Sequence, residues 1–220
     1  FLIILKVLSD MLKENPNQQV MILAHNKNLL KYLHDAIAHR NIATVGYYVG
    51  GMKESALKET ETKKVVIATY AMASEALDIK TLTTLIMATP KTDIEQSVGR
   101  ILREKHSSPI VVDIVDSHDL FKNQWRKRKT FYKKENYKII YTISTNYTTD
   151  YSQWTLVYNP TLDGCKLRTS KKSKITTSVK SNSSSDKSIT HDSESEDDNE
   201  EPEISTKADK FTNEVCLLKI

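Results

Sequence analysis

The chain has 220 residues, a formal net charge of +4 and only two cysteines, Cys165 and Cys216. It has no apolar run of about eighteen residues, which excludes a membrane-spanning helix, and two cysteines near one end make neither a disulfide framework nor a metal site. The length suits one domain with appendages, and the expectation is an intracellular, reducing setting with no secretory leader and no membrane partner.

In chain order, "FLIILKVLSDMLKEN" has the spacing of an amphipathic helix, and Pro16 helps to end it. "QQVMILAH" (18–25) is a buried strand. "NKNLLKYLHDAIAHR" (26–40) carries Leu29, Leu30, Leu33, Ala36 and Ile37 at helical spacing. "ATVGYYVGG" (43–51) is a strand closed by Gly50 and Gly51, and "KESALKETE" (53–61) is a short helix. "KVVIATY" (64–70) and "TTLIMAT" (83–89) are two more buried strands. "TDIEQSVGRILRE" is the helix after them, and "SPIVVDIVD" (108–116) is a fifth strand. "SHDLFKNQWRKRKTFYKKEN" (117–136) is a basic helix opened by Ser117 as N-cap, and "YKIIYTIS" (137–144) is the last strand.

Strands and helices alternate, and the strands are short and almost wholly apolar. That pattern belongs to an α/β fold with a parallel sheet covered by helices on both faces. In such sheets the loops beyond the strands' C-terminal ends gather the binding groups. His25-Asn26, Gly50-Gly51 and the stretch after Thr69 are the candidates there.

The globular pattern covers residues 1–145. Residues 146–165 read as a small extension packed on the domain. Residues 166–220 read as a disordered tail, basic in "KLRTSKKSKITTSVK" and then acidic in "DSESEDDNEEPE", because they hold too little apolar surface to offset ordering. The final "FTNEVCLLKI" regains apolar character and suits a docking peptide for a protein partner.

Two stretches carry chemistry. "QSVGRILR" holds Gln96, Gly99, Arg100 and Arg103, with Gln96, Arg100 and Arg103 on one helix face. A Q-x-x-G-R-x-x-R match arises by chance with odds on the order of one in a thousand. Two guanidinium groups suit a flat, multi-oxygen anion, and Gly99 gives up helix stability to let a ligand or a neighbouring backbone approach. A surface helix with two solvated arginines remains the plain alternative. "VVIATYAMASEALDI" joins a strand to a loop holding Thr69, Ser74, Glu75 and Asp78; ordinary helix capping is the alternative there. The basic helix interleaves Trp125, Phe131, Tyr132 and Tyr137 with Lys122, Arg126, Lys127, Arg128, Lys129, Lys133, Lys134 and Lys138. The aromatics are expected to face the sheet and the cations to face water, where they can still steer nucleic acid. The six histidines cluster at no metal spacing.

Taken together, the two stretches resemble motifs five and six of superfamily-two helicases, and the chain resembles their second, C-terminal RecA-like domain over residues 1–140. "VMILAHNKNLLKYL" resembles the motif four region, and "YYVGGMKESALKE" the Gly-containing loop after it. The run from "TPKTDIEQSVGRILRE" through "PIVVDIVD" to "FY" looks most like helicases of large DNA viruses and phages. The resemblance implies a RecA-like sheet and an ATP-dependent motor acting on DNA or RNA in the cytoplasm or a virus factory. It implies that Arg103 is an arginine finger on the γ-phosphate, that Arg100 assists, and that Gln96 senses the nucleotide. Asp78 would contact the ribose or motif six, Glu75 and Gly99 would lie on the nucleotide side, and Thr69 would bond a nucleic-acid phosphate. Asn26, Gly50 and Gly51 would approach the strand.

The sequence departs from the family at Ala76 in "SEALD", where the family usually has Gly. It also has no G-x-x-x-x-G-K-[ST] loop and no D-E-x-[HD] segment, so it offers no phosphate cradle and no Mg²⁺ ligand. The chain begins with Phe1, and the expectation is that an N-terminal RecA-like domain in cis supplies both; this chain alone would be inactive. The alternative is a non-catalytic RecA-like module that binds nucleic acid or a partner.

Overall fold

Long apolar strand runs predict a sheet buried on both sides, and the computed structural model has one. It describes residues 2–75, 79–101, 109–116, 118–161 and 214–219. The elements run α1 (Leu2–Glu14), β1 (Gln19–Ala24), α2 (Lys27–His39), β2 (Val45–Tyr48), α3 (Glu54–Glu61), β3 (Val65–Thr69) and α4 (Tyr70–Glu75). They continue with β4 (Leu82–Met87), α5 (Glu95–Ile101), β5 (Ile110–Val115), α6 (Asp119–Lys134), β6 (Lys138–Ile143), β7 (Thr155–Tyr158) and β8 (Glu214–Lys219).

The sheet has eight strands in the order β2-β3-β1-β4-β5-β8-β6-β7. The first five are parallel, a RecA-like arrangement flanked by helices. β1 lies at the centre, with Ile22 opposite both Ile67 of β3 and Ile86 of β4. Its side chains alternate. Met21 and Leu23 enter one core with Val66, Ala68, Leu85, Met87, Tyr70, Val98 and Tyr132. Val20, Ile22 and Ala24 enter the other with Ile4, Leu8, Leu33, Ile67, Ile86 and Val112. α1 and α2 therefore cover one face and α4, α5 and α6 the other, and each buried aliphatic side chain contributes roughly 1.5–3 kcal/mol of transfer free energy.

The far side of the sheet differs from the sequence expectation. β6 is not the last strand. The expected small extension supplies β7, antiparallel to β6. The apolar end of the expected tail forms β8, which lies antiparallel between β5 and β6 and pairs with both over its whole length. Strand insertion of this kind is a non-local event, and a six-residue strand such as "EVCLLK" does not announce its neighbours.

Two local expectations are corrected. The N-cap of α6 is His118, whose Nδ1 accepts from the Leu120 N–H at 3.4 Å; Ser117 lies outside the described residues. The stretch after β3 is helical from Tyr70, so Ser74 and Glu75 sit on α4 and not in a loop. Among the described residues no helix is long and apolar enough to cross a membrane.

Candidate functional site

Parallel strands deliver their C-terminal ends to one edge, and the candidate residues gather there because of that geometry. Asn26 follows β1, Gly50 and Gly51 follow β2, Thr69 ends β3, and the loop of residues 88–94 leads from β4 into α5. Asn26 caps α2, its side chain accepting from the Asn28 N–H at 2.7 Å. Gly51 has φ +89°, a conformation that a side chain resists, so the turn after β2 depends on it. Gly50 sits close to α4, since a Cβ there would lie 3.9 Å from Met72 Sδ. Thr69 Oγ1 faces the Met72 N–H at the start of α4.

α5 carries the Q-x-x-G-R stretch. Asp93 Oδ1 accepts from the Glu95 N–H at 3.3 Å and starts the helix. Gln96, Gly99 and Arg100 lie on α5, and Glu75 ends α4, which packs beside it. Gly99 is exposed, and a Cβ there would meet nothing within 4 Å among the described residues. Arg103, Asp78 and Ala76 lie outside the described residues.

The loop before α5 is held from three elements. The His25 N–H, just past β1, donates to Thr89 Oγ1 at 3.0 Å. The Tyr70 hydroxyl, at the start of α4, donates to the Thr89 carbonyl. Arg128 of α6 donates from Nη1 to the Lys91 carbonyl at 2.9 Å. Tyr70 also packs against the His25 ring, with centroids 4.6 Å apart, and Lys91 Nζ stands 5.1 Å from the Tyr70 ring centre. Tyr70 is buried, and that burial pushes its hydroxyl well above the ordinary tyrosine range, so it remains a donor.

Arg128 was expected among the water-facing cations, and the structure contradicts this. It is fully buried, with Nε 2.7 Å from Asp113 Oδ2 and Nη2 2.9 Å from Asp113 Oδ1. The Tyr132 hydroxyl adds a 3.3 Å bond to the same carboxylate. Burial pushes the Asp113 carboxyl upward, while the guanidinium and the Tyr132 hydroxyl pull it back. A charge in the middle of "IVVDIV" needs a partner, because an unpaired buried carboxylate is strongly unfavourable. The expected inward face of α6 is otherwise found: Tyr132 is buried, and Trp125 and Phe131 pack on the same core.

Sequence reasoning missed Tyr70, Thr89, Lys91, Asp113 and Arg128. An acid inside an apolar strand, and an arginine three residues after Trp125 and four before Tyr132, were the available signals. Among the described residues no cluster of three His, Cys, Asp or Glu side chains stands ready for a metal.

Residues 4–105 match the model of the helicase conserved C-terminal domain. Over those residues the chain is similar to the C-terminal domain of helicases. The chain is 47% identical over 124 residues to "Putative ATP-dependent RNA helicase L396" of Acanthamoeba polyphaga mimivirus, covering 54% of this chain and 23% of that one. It is 29% identical over 157 residues to QP509L of African swine fever virus, which bears the same description, covering 66% of this chain and 30% of that one. The chain thus spans less than a third of the length of either relative. Among solved structures, the C-terminal domain of S. cerevisiae Dbp5 superposes with a TM-score of 0.47 and 18% identity, over 59% of this chain and 76% of that one.

Proposed function

We propose that this domain is the C-terminal motor half of an ATP-dependent nucleic-acid helicase or translocase. It supplies arginine fingers and nucleic-acid backbone contacts to an ATPase site whose phosphate cradle lies on an N-terminal RecA-like domain. One observation carries the reading: the loop that opens α5 is pinned by His25, Tyr70 and Arg128 at the same sheet edge that holds Asn26, Gly50, Gly51 and Thr69.

In this reading Arg103 reaches the γ-phosphate, Arg100 assists, and Gln96 couples nucleotide to domain closure. Phosphoryl transfer spreads charge over equatorial oxygens, and a positioned guanidinium there accelerates the step by about 10³-fold or more. Asp78 and Glu75 serve the nucleotide side of the cleft. Gly99 leaves room where the two domains close. Thr69, Asn26, Gly50 and Gly51 face the strand. The ion that accompanies ATP is assigned to the N-terminal domain, and no step here runs through it. The names of the viral relatives make RNA the first track to test, with DNA second, and support a site of action in the cytoplasm or a virus factory.

A second reading has a specific observation behind it. Ala76 stands where the family usually has Gly, and the sequence has no phosphate-cradling loop. A non-catalytic module that binds single strands would tolerate both. The discriminating experiment uses this chain by itself. The motor reading expects no ATP hydrolysis and weak binding to single-stranded RNA. Tight binding with a steep salt dependence would instead favour the module, and ATP turnover by the chain alone would sink the motor reading.

A further inference from the structure

We infer that Arg128 is a positioning residue for the ATPase site: through the Lys91 carbonyl it sets where α5, the helix that carries Arg100, begins. The inference rests on the motor reading above and deepens it. It begins with a buried ion pair that does more than join two elements.

Asp113 lies at the middle of β5 and Arg128 at the middle of α6, and both are completely buried. Two guanidinium nitrogens suffice for the bidentate grip on the carboxylate. The third, Nη1, leaves the pair and donates to the main chain of the loop between β4 and α5. A planar guanidinium fixes these three directions at once, which an ammonium on a flexible stem does not do. The Trp125 ring, 5.9 Å from Arg128 Cζ, closes the other side. Buried pairs of this kind add little net stability over an apolar replacement of the same volume, so a role in fixing geometry is a reason for the pair to exist.

The point of attachment matters. Lys91 is four residues before the first residue of α5 and nine before Arg100. Two residues earlier, the Thr89 carbonyl is fixed by Tyr70 and its hydroxyl by the His25 N–H. The loop is therefore anchored on the β1 and β3 side at Thr89 and on the β5 and α6 side at Lys91. Freed at Lys91, the segment between Thr89 and the buried Ile94 loses its polar tie to the β5 and α6 side and can shift, and the start of α5 with it. A displacement of about 1 Å at a phosphate-contacting group is enough to cost on the order of a hundredfold in rate. Arg128 itself touches no substrate, since it is fully buried.

The test uses the full-length protein that carries this domain, with ATP and single-stranded RNA as probes. Arg128→Lys retains a charge for Asp113 but cannot hold the carboxylate and the Lys91 carbonyl together. The expected result is a fall in kcat of about tenfold or more, with KM for ATP and RNA affinity within about threefold of wild type. Amide exchange should speed up in residues 89–95 and nowhere else in the parallel sheet. Wild-type kcat together with wild-type exchange in that loop would overturn the inference. Should Arg128→Lys fold poorly, the double variant Asp113→Leu/Arg128→Leu removes both charges at similar volume and is read by the same two measurements. Arg103→Ala serves as the separate control on the motor reading. If it turns ATP over normally, that reading fails, while the exchange measurement still decides what Arg128 holds.

Discussion

Arg128 and Asp113, fifteen positions apart, meet inside the fold through two hydrogen bonds of 2.7 and 2.9 Å. Removing one partner strands the other. Arg128→Leu leaves a buried carboxylate unpaired and should destabilise the domain by about 3–5 kcal/mol, whereas Asp113→Leu/Arg128→Leu should recover most of that loss. Denaturant titration of the two variants checks it. Equal losses in the single and double variants would mean that the pair is not buried as described.

Tyr70 tests the other anchor of the same loop. Tyr70→Phe keeps the ring against His25 and removes only the donor to the Thr89 carbonyl. The expected loss is about 1 kcal/mol, with faster amide exchange near Thr89. An unchanged midpoint and unchanged exchange would show that water replaces the hydroxyl without cost.

Two glycines should respond oppositely to the same substitution. A Cβ on Gly46 of β2 would lie 2.8 Å from Thr60 Oγ1 and 2.9 Å from Thr60 Cγ2, so Gly46→Ala should destabilise by about 1–3 kcal/mol. Gly99 faces open space on α5, and Gly99→Ala should stabilise the domain by about 1 kcal/mol. In the full-length protein Gly99→Ala should nevertheless lower ATP turnover if, as proposed, that space belongs to the closing cleft. A variant both more stable and fully active would remove Gly99 from the site.

Burial pushes the hydroxyls of Tyr70, Tyr147 and Tyr151 up, and that of Tyr137 to about 12. The folded state therefore holds phenolic protons that the unfolded chain releases near pH 10, and between about pH 10 and about pH 12 it binds more protons than the unfolded chain. Stability from these groups is complete below about pH 10 and is lost as the pH rises toward 12. Melting temperatures across that range, read beside tyrosinate absorbance, should fall as the slow-titrating tyrosines ionise. A flat melting temperature with all tyrosines titrating near pH 10 would contradict their burial.

How much of this was legible in the sequence depends on whether the signal was local. The five parallel strands were, because each is an apolar run bounded by polar residues and followed by a helical period. Asn26, Gly50, Gly51 and Thr69 were placed at one edge by topology alone. β8 was not legible, because its partners β5 (Ile110–Val115) and β6 (Lys138–Ile143) lie far earlier in the chain than Glu214–Lys219, in no fixed relation to it, and pairing leaves no period. Arg128 was hidden among "RKRK", where Arg126 and Lys127 are exposed and Lys129 is half-buried. Its place on the Trp125–Tyr132 face of α6 distinguishes it, but only once Asp113 is recognised as an acid that needs a cation.

The most direct test of the central claim is ATP turnover by the full-length protein with Arg103→Ala, measured with saturating single-stranded RNA and beside an RNA-binding titration. The account predicts a loss of turnover of about 10³-fold with RNA affinity nearly unchanged. Turnover at the wild-type rate would contradict it, and would leave the two arginines as ordinary solvated residues on a surface helix.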